Sequence, residues 1–158
     1  MAQSAVEIIE LRAGELSDAD VDACVRIIAK GNAVDPASAR RNLPRSCAVA
    51  VARIGGEIVG VGTVKPIRRA YAERTAEESG FPFDPATPEL GYVAVDPDHR
   101  GKHLSTKIVK ILAMGRSALY ARTSDPRMKS ALIRGGFAQR GAEWLGRRGD
   151  RLSFWLKE

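Results

Sequence analysis

The clearest periodicity in the chain lies in residues 104–114, where apolar side chains recur at helical spacing. Leu104, Ile108 and Leu112 are four residues apart, and Ile111 falls on the same stripe. The lysines of this segment, such as Lys107, fall on other faces. The pattern predicts a helix with one face packed against a core.

Strands are predicted where apolar runs are short or where apolar residues recur at every second position. Residues 90–95 form a short apolar run of the kind that suits a buried strand, and Leu152, Phe154 and Leu156 alternate. The pair Gly55-Gly56 separates apolar segments at 47–54 and 57–64. Two glycines between two such segments predict a hairpin with a two-residue turn.

Three further helices are predicted from capping residues. Ser17 begins a capping box ahead of an apolar helical face, Asp35 precedes a short helix or turn that runs to Pro44, and Asp125 precedes a helix over residues 126–134. The predicted order is β-α-α-β-β-β-α-β-α-β-β, an α/β fold with a mixed sheet in one domain over residues 1–158. The remaining predicted strands cover residues 6–11, 118–123, 139–145 and 152–156.

Residues 66–88 contribute no element to this order. Their first part, 67–79, contains helix-forming residues of mixed charge, and their second part is rich in proline and aromatic residues. A connection of this length is usually functional or disordered. Two interpretations stay open: Tyr71, Phe81 and Phe83 cover an acceptor pocket, or Phe81 and Phe83 fill a satellite core under a loop.

Composition excludes several classes of protein. Hydrophobic residues make up 44% of the 158 residues, which excludes a disordered chain, and no apolar run approaches the ~18 residues of a membrane span. Residues 1–4 show no feature of a secretory signal, so a cytoplasmic location is expected. Two cysteines without metal-like spacing and two histidines predict no metal site.

Charge is distributed unevenly along the chain. Residues 1–98 contain 11 Lys and Arg against 15 Asp and Glu, whereas residues 99–158 contain 14 against 4. The second part, with a net charge of +10, therefore favours an anionic partner, either a phosphorylated cofactor or a nucleic acid.

The segment that bears most directly on function is residues 89–105, which read ELGYVAVDPDHRGKHLS. An apolar strand passes through a basic, glycine-containing turn into the predicted helix at Leu104. Such a turn brings unpaired backbone N–H groups and the positive end of the helix dipole to one point, which favours a phosphate site. The segment is neither a P-loop nor a dinucleotide-binding glycine motif.

This turn resembles the pyrophosphate loop of the GNAT superfamily of acyl-CoA-dependent N-acetyltransferases, whose signature is [QR]-x-x-G-x-[GA]. Arg100 matches the first position, while His103 and Ser105 stand where small residues are expected. A second landmark of the family, a helix that opens on Asn-Pro and closes before Gly-Phe, is matched by residues 125–137. Leu132 stands where many members carry the tyrosine that protonates the thiolate.

The resemblance implies a mostly antiparallel central sheet flanked by helices. It also implies transfer of an acetyl group from acetyl-CoA to a primary amine by direct attack in a ternary complex. Glu89 would be the general base, and Tyr92, Tyr120 and Ser124 would substitute for the missing acid. The implied cofactor-binding residues are Val93 and Val95 through their backbone, then Arg100, Gly101, Lys102, His103, Leu104, Ser105 and Thr106 in the loop, and Asp125.

Several alternatives remain. His103 can tolerate a positive φ and preserve the loop path, or it can reshape the loop and weaken CoA binding. The basic second part of the chain can serve nucleic acid or an aminoacyl-tRNA, and the fold can be a binding module without activity. The acceptor amine is not specified by the sequence. A homodimer through the C-terminal strands would involve Trp144 and Trp155.

Overall fold

The computed structural model describes residues 5–31 and 35–158, so the segment 1–4 in which a secretory signal was sought lies outside it. None of the helices in the described ranges is long and apolar enough to span a bilayer. Five helices are described: α1 Asp18–Lys30, α2 Pro36–Asn42, α3 Arg69–Ser79, α4 Leu104–Ala113 and α5 Pro126–Arg134. The seven strands are β1 Val6–Leu11, β2 Ala48–Ile54, β3 Glu57–Val64, β4 Leu90–Val95, β5 Leu119–Thr123, β6 Ala138–Leu145 and β7 Arg151–Lys157.

The predicted helix caps are confirmed. The Ser17 hydroxyl accepts a hydrogen bond from the Asp20 N–H, and the carboxylates of Asp35 and Asp125 accept from backbone N–H groups in the first turns of α2 and α5. Each cap satisfies a donor that the helix itself leaves unpaired. The element order was wrong at one point, because it omitted α3. The buried face of α3 is formed by Ala72, Thr75 and Ser79 and therefore shows no apolar stripe.

The strands form two antiparallel sheets that meet at one point. The first has the order β1-β2-β3-β4 and the second β5-β7-β6. β4 and β5 run parallel, and their pairing in the described structure is limited to Glu89 and Tyr120, where the Tyr120 N–H donates to the Pro88 carbonyl at 3.1 Å. The expected mixed, mostly antiparallel sheet flanked by helices is confirmed. Because the two strands separate beyond Glu89, a gap opens between the sheets.

Helices cover both faces of the first sheet. Val49, Val51 and Val61 pack against α1 and α2, while Ala50 and Val59 belong to the core cluster that α4 joins. A Cβ at Gly62 would collide with Ile108, so the absence of side chains there lets α4 lie close to β3. This packing fixes where α4 begins relative to the end of β4.

The aromatic residues of the long connection form a satellite core. The Phe83 ring centroid lies 4.7 Å from that of Phe154 and 4.9 Å from that of Tyr120, and the Phe81 centroid lies 6.0 Å from that of Phe154. The second of the two interpretations is therefore confirmed for Phe81 and Phe83. Trp155 is 4% exposed and belongs to the main core, so it is not available to a partner subunit.

Candidate active site

The open edge of β4 presents backbone groups to the gap between the sheets. The Asp96 N–H donates to the Val59 carbonyl of β3 at 2.8 Å. Because backbone groups alternate sides along a strand, the N–H of Val95 points away from β3, toward β5. The predicted residues Val93 and Val95 both line this gap.

A β-bulge interrupts β4 at Tyr92. Thr63 pairs with Gly91 and Val61 with Ala94, so Tyr92 and Val93 together lie opposite a single residue of β3. Tyr92 has a φ of 51°, which is uncommon for a residue with a side chain. The bulge changes the direction of the strand in the middle of the gap, at the place where the backbone of Val93 faces it.

The loop after β4 enters α4 through two residues with a positive φ. Gly101 has a φ of 86°, and His103 has a φ of 58° and precedes α4. The expectation that His103 tolerates a positive φ is confirmed. The His103 side chain does not cap the helix, in contrast to the capped starts of α1, α2 and α5. The first N–H groups of α4 therefore have no side-chain acceptor among the described residues, and they lie at the positive end of the helix dipole.

Two adjoining cavities, of about 150 and 250 Å³, follow the gap from Tyr92 to this loop. They share four lining residues, so we treat them as one feature, the cofactor groove. The shared residues are Val95, Arg100, Ser105 and Arg127. Of the predicted site residues, Tyr92, Val93, Val95, Arg100, Ser105 and Asp125 line the first cavity, and Gly101, His103, Leu104 and Thr106 line the second.

Four predicted residues lie elsewhere. Lys102 is exposed, and its Nζ lies 3.2 Å from His99 Nδ1. Ser124 is exposed beyond the end of β5, and Tyr120 is 1% exposed in the satellite core. Glu89 lies at the closed end of the gap, where β4 and β5 meet. The structure thus brings most of the predicted cofactor residues together, but not all of the predicted catalytic ones.

Basic residues of α5 also line the cofactor groove and were missed in the sequence. Arg127 lies on both cavities, and the Arg134 guanidinium donates to His103 Nδ1 at 2.8 Å. Arg127, Ser130 and Arg134 are spaced by three and four residues and so share one face of α5. That spacing was visible in the sequence, but only the structure shows that this face meets the loop.

Glu89 is a buried carboxylate beside a lysine. It is 7% exposed, and its Oε1 lies 3.5 Å from Lys65 Nζ. Within the described residues this oxygen has no hydrogen-bond partner. A buried acceptor without a hydrogen bond is costly, so a donor that reaches Oε1 would be bound favourably.

The tyrosines near Glu89 differ in their surroundings. Burial raises the pKa of Tyr120, and the Glu89 carboxylate raises it further; the pKa of Tyr71 is raised by the same two causes in the same order. Tyr92 is partly exposed, and its hydroxyl accepts a hydrogen bond from Asn42 Nδ2 at 3.2 Å. Leu132, at the position of the family tyrosine, is fully buried in the core.

A third cavity, of about 320 Å³, lies on the other side of Tyr92 and is here called the acceptor-side pocket. Tyr92 lines both this pocket and the cofactor groove. Its ring also faces Lys65 Nζ, which lies 4.5 Å from the ring centroid. The lining residues are Asn42, Arg45, Lys65, Pro66, Arg68 and Tyr92, of which only Tyr92 was singled out in the sequence.

Comparison with known proteins agrees with this geometry. Residues 15–130 match the family model described as Acetyltransferase (GNAT) family. The match covers more than half of the chain, which therefore belongs to the GNAT acetyltransferase family. No curated protein sequence matched.

Solved structures show the same fold at low identity. A putative GNAT acetyltransferase from Desulfovibrio desulfuricans superposes with a TM-score of 0.70 at 15% identity, covering 98% of this chain and 99% of its own. A GNAT family acetyltransferase from Streptococcus agalactiae superposes with a TM-score of 0.73 at 11% identity, covering 99% of this chain and 96% of its own. An acetyltransferase from Thermus thermophilus gives 0.59 at 17%, covering 99% of both chains. At these identities the likeness shows the fold alone.

Proposed function

We propose that the protein transfers an acetyl group from acetyl-CoA to a primary amine by direct attack in a ternary complex. The observation that carries the proposal is the continuous cofactor groove, which runs between β4 and β5 from the Tyr92 bulge to the uncapped start of α4. Family membership supports acetyl transfer in general, and the groove supports the particular cofactor.

The residues of the groove fit acetyl-CoA, which supplies the activated acetyl thioester when bound. CoA carries a pyrophosphate and a 3′-phosphate, and the loop offers N–H groups together with the guanidinium groups of Arg100, Arg127 and Arg134. The part of the groove nearer Tyr92 is lined by Ile28 and Met128 and suits a less polar arm. Backbone N–H groups of Val93 and Val95 would bind that arm and the thioester oxygen.

Glu89 would act as the general base, directly or through a water molecule. An amine at neutral pH is mostly protonated and cannot attack, so a carboxylate must take one proton from it. Glu89 would accept that proton, and the freed electron pair on nitrogen would form the new C–N bond. The nitrogen would then release its second proton to solvent as the C–S bond of the thioester breaks. Glu89 Oε1, which has no hydrogen bond within the described residues although Lys65 Nζ lies 3.5 Å away, would provide the acceptor for the first step.

Tyr92 is the best placed of the three candidate acids. It lines the groove, whereas Tyr120 is buried in the satellite core and Ser124 does not line either cavity of the groove. Because the Tyr92 hydroxyl accepts a hydrogen bond from Asn42, its own proton is free to be donated to the departing thiolate. Solvent can deliver the same proton if Tyr92 does not.

Activity is tested by following release of the CoA thiol from acetyl-CoA in the presence of a mixture of primary amines, with mass spectrometry to detect acetylated products. CoA binding is measured separately by equilibrium titration. We expect saturable binding and amine-dependent thiol release. An unaltered protein that binds no CoA would contradict the cofactor assignment.

Nucleic acid remains a hypothesis based on charge. Arg100, Arg127 and Arg134 already have a use in the cofactor groove, so the basic second part of the chain does not require a polynucleotide. If tRNA or duplex DNA were the partner, affinity would fall steeply and linearly on a log–log plot against salt. Titration at several salt concentrations measures this slope.

A further inference from the structure

The acceptor-side pocket has an unusual balance of charge. Three of its six described lining residues are the cations Arg45, Lys65 and Arg68, and none of the six is acidic. Arg45 and Arg68 are exposed at its surface, while Lys65 is partly buried beside Glu89. The outer part of the pocket is therefore positively charged, and the buried Glu89 carboxylate lies behind Lys65.

Arg45 and Arg68 form no ion pair with a carboxylate in the part of the chain that the structure describes, whereas Lys65 pairs with Glu89 at 3.5 Å. Arg68 instead lies over the Tyr71 ring at 4.5 Å from its centroid, a contact that leaves the guanidinium N–H edge free to bind an anion. Elsewhere Arg53 and Arg116 have acidic partners, so the pocket arginines differ from these.

We propose that the acceptor amine also carries an anionic group, a carboxylate or a phosphate, which Arg45 and Arg68 bind while the amine is directed to Glu89. This inference rests on the proposed acetyl transfer. Guanidinium groups match the geometry of both anions. Glu89 Oε1 has an ion pair with Lys65 but no hydrogen bond within the described residues, so it can accept one from an amine at the inner end. The two arginines offer donors to an anion at the outer end. A compound with both groups satisfies both ends, and a volume of about 320 Å³ suits a small molecule.

The pocket is also connected to the place where transfer would occur. Tyr92 separates it from the cofactor groove and lines both, and Lys65 lines the pocket while it pairs with Glu89. An amine held in the pocket therefore adjoins the bulge in β4, and the proposed base lies on the other side of Lys65. A diamine of the same length would place a second positive charge against the arginines and be repelled.

The test is a matched panel of amines supplied with acetyl-CoA. Glycine, β-alanine and 4-aminobutyrate provide carboxylates at three lengths, and phosphoethanolamine provides a phosphate. Ethanolamine, 3-aminopropanol, 1,2-diaminoethane and 1,4-diaminobutane provide neutral and cationic counterparts. We expect at least one anionic amine to exceed its counterparts by 100-fold or more in kcat/KM. Whether the best substrate carries a carboxylate or a phosphate identifies the anion that the pocket binds. The proposal is overturned if no anionic amine exceeds its counterparts, including the case in which none is acetylated.

Variants localise the effect. The double variant Arg45→Ala/Arg68→Ala should raise KM for the preferred anionic amine by at least 10-fold while the affinity for CoA is unchanged. Arg45→Glu should shift preference toward diamines. Arg26→Glu is the matched control, since Arg26 is an exposed arginine of α1 outside this pocket, and it should leave both preferences unchanged. Retention of the anionic preference in Arg45→Glu and in the double variant would overturn the assignment of these residues.

Failure of this inference can be separated from failure of the proposed function. Binding of CoA with acetylation of neutral amines at equal rates overturns only the anionic acceptor. Absence of CoA binding overturns the proposed function itself.

Discussion

The two ends of β4 are built in different ways. Its C-terminal end meets the cofactor loop, which is continuous in sequence from Val95 to Thr106 and offers mainly backbone N–H groups at the start of α4. Its N-terminal end meets the acceptor-side pocket, where side chains arrive from the end of α2, from the segment after β3 and from β4 itself. The loop is a local backbone structure to which α5 adds Arg127 and Arg134, whereas the pocket consists of side chains that are distant in sequence.

This difference explains how the loop accommodates its unusual residues. A site made of backbone groups depends on the path of the chain, and His103 follows the required path with a φ of 58°. A site made of side chains depends on each residue type. Substitutions in the cofactor loop should therefore change the affinity for CoA, and substitutions in the acceptor-side pocket should change the reactivity toward the amine.

The largest effect is expected at Glu89. Glu89→Gln preserves the size of the side chain but cannot accept the amine proton, so kcat/KM should fall by roughly 10²–10⁴. The affinity for CoA should stay the same, because Glu89 does not line the cofactor groove. Steady-state kinetics and CoA titration measure the two quantities.

The control for this variant is Glu57→Gln, at an exposed strand position. It should retain full activity. An unchanged rate in Glu89→Gln would show that another group takes the proton.

A smaller effect is expected at Arg100. Arg100→Ala removes a charged donor from the cofactor groove and should weaken CoA binding by about 1.5–3 kcal/mol, the cost of a charge-assisted hydrogen bond. Lys102→Ala is the matched control, because Lys102 lies in the same loop but does not line the groove. Isothermal titration of both variants with CoA measures the difference, and equal losses of affinity would contradict the assignment of Arg100.

Gly101→Ala tests the path of the loop. The glycine has a φ of 86°, which an alanine adopts only at a cost of about 1–2 kcal/mol, although no atom lies near enough to collide with its Cβ. Chemical denaturation should show a matching decrease in the free energy of unfolding. Gly14→Ala, which faces equally open space without a positive φ, should be tolerated. A stable Gly101→Ala that binds CoA normally would mean that the loop path is not critical.

The smallest effect is expected for His103→Gly. Relief of the positive φ favours the variant, while the loss of the Arg134 contact and the greater freedom of the unfolded chain oppose it, so stability should change by less than about 1 kcal/mol. CoA affinity should change less than in Arg100→Ala. A tenfold or greater loss of affinity would show that the imidazole itself binds phosphate.

The elements that the sequence predicted are those determined by local patterns. The stripe of Leu104, Ile108 and Leu112 is buried as expected, and Asp125 caps α5. Helix α3 was missed because Thr75 and Ser79 on its buried face are polar, with the Thr75 hydroxyl bonded back to the Tyr71 carbonyl. No local pattern could indicate these contacts.

The candidate site also contains one part determined by local sequence and one part determined by tertiary contacts. The cofactor loop was predictable because its residues are neighbours in sequence and their helix start is a recognisable signal. The acceptor-side pocket was not, since Asn42, Lys65 and Tyr92 meet only after the first sheet has formed. The bulge at Tyr92 likewise depends on pairing with β3, which a single strand sequence does not specify.

Under the proposed function, CoA binds in the groove between β4 and β5 through backbone groups. The most direct test is amide chemical-shift mapping by NMR during titration with CoA. We expect shifts concentrated at Val93, Val95, Gly101 and the first turn of α4, with Arg45 and Arg68 unaffected until an acceptor amine is added. Shifts absent from these amides, or concentrated at another surface, would contradict binding of CoA in this groove.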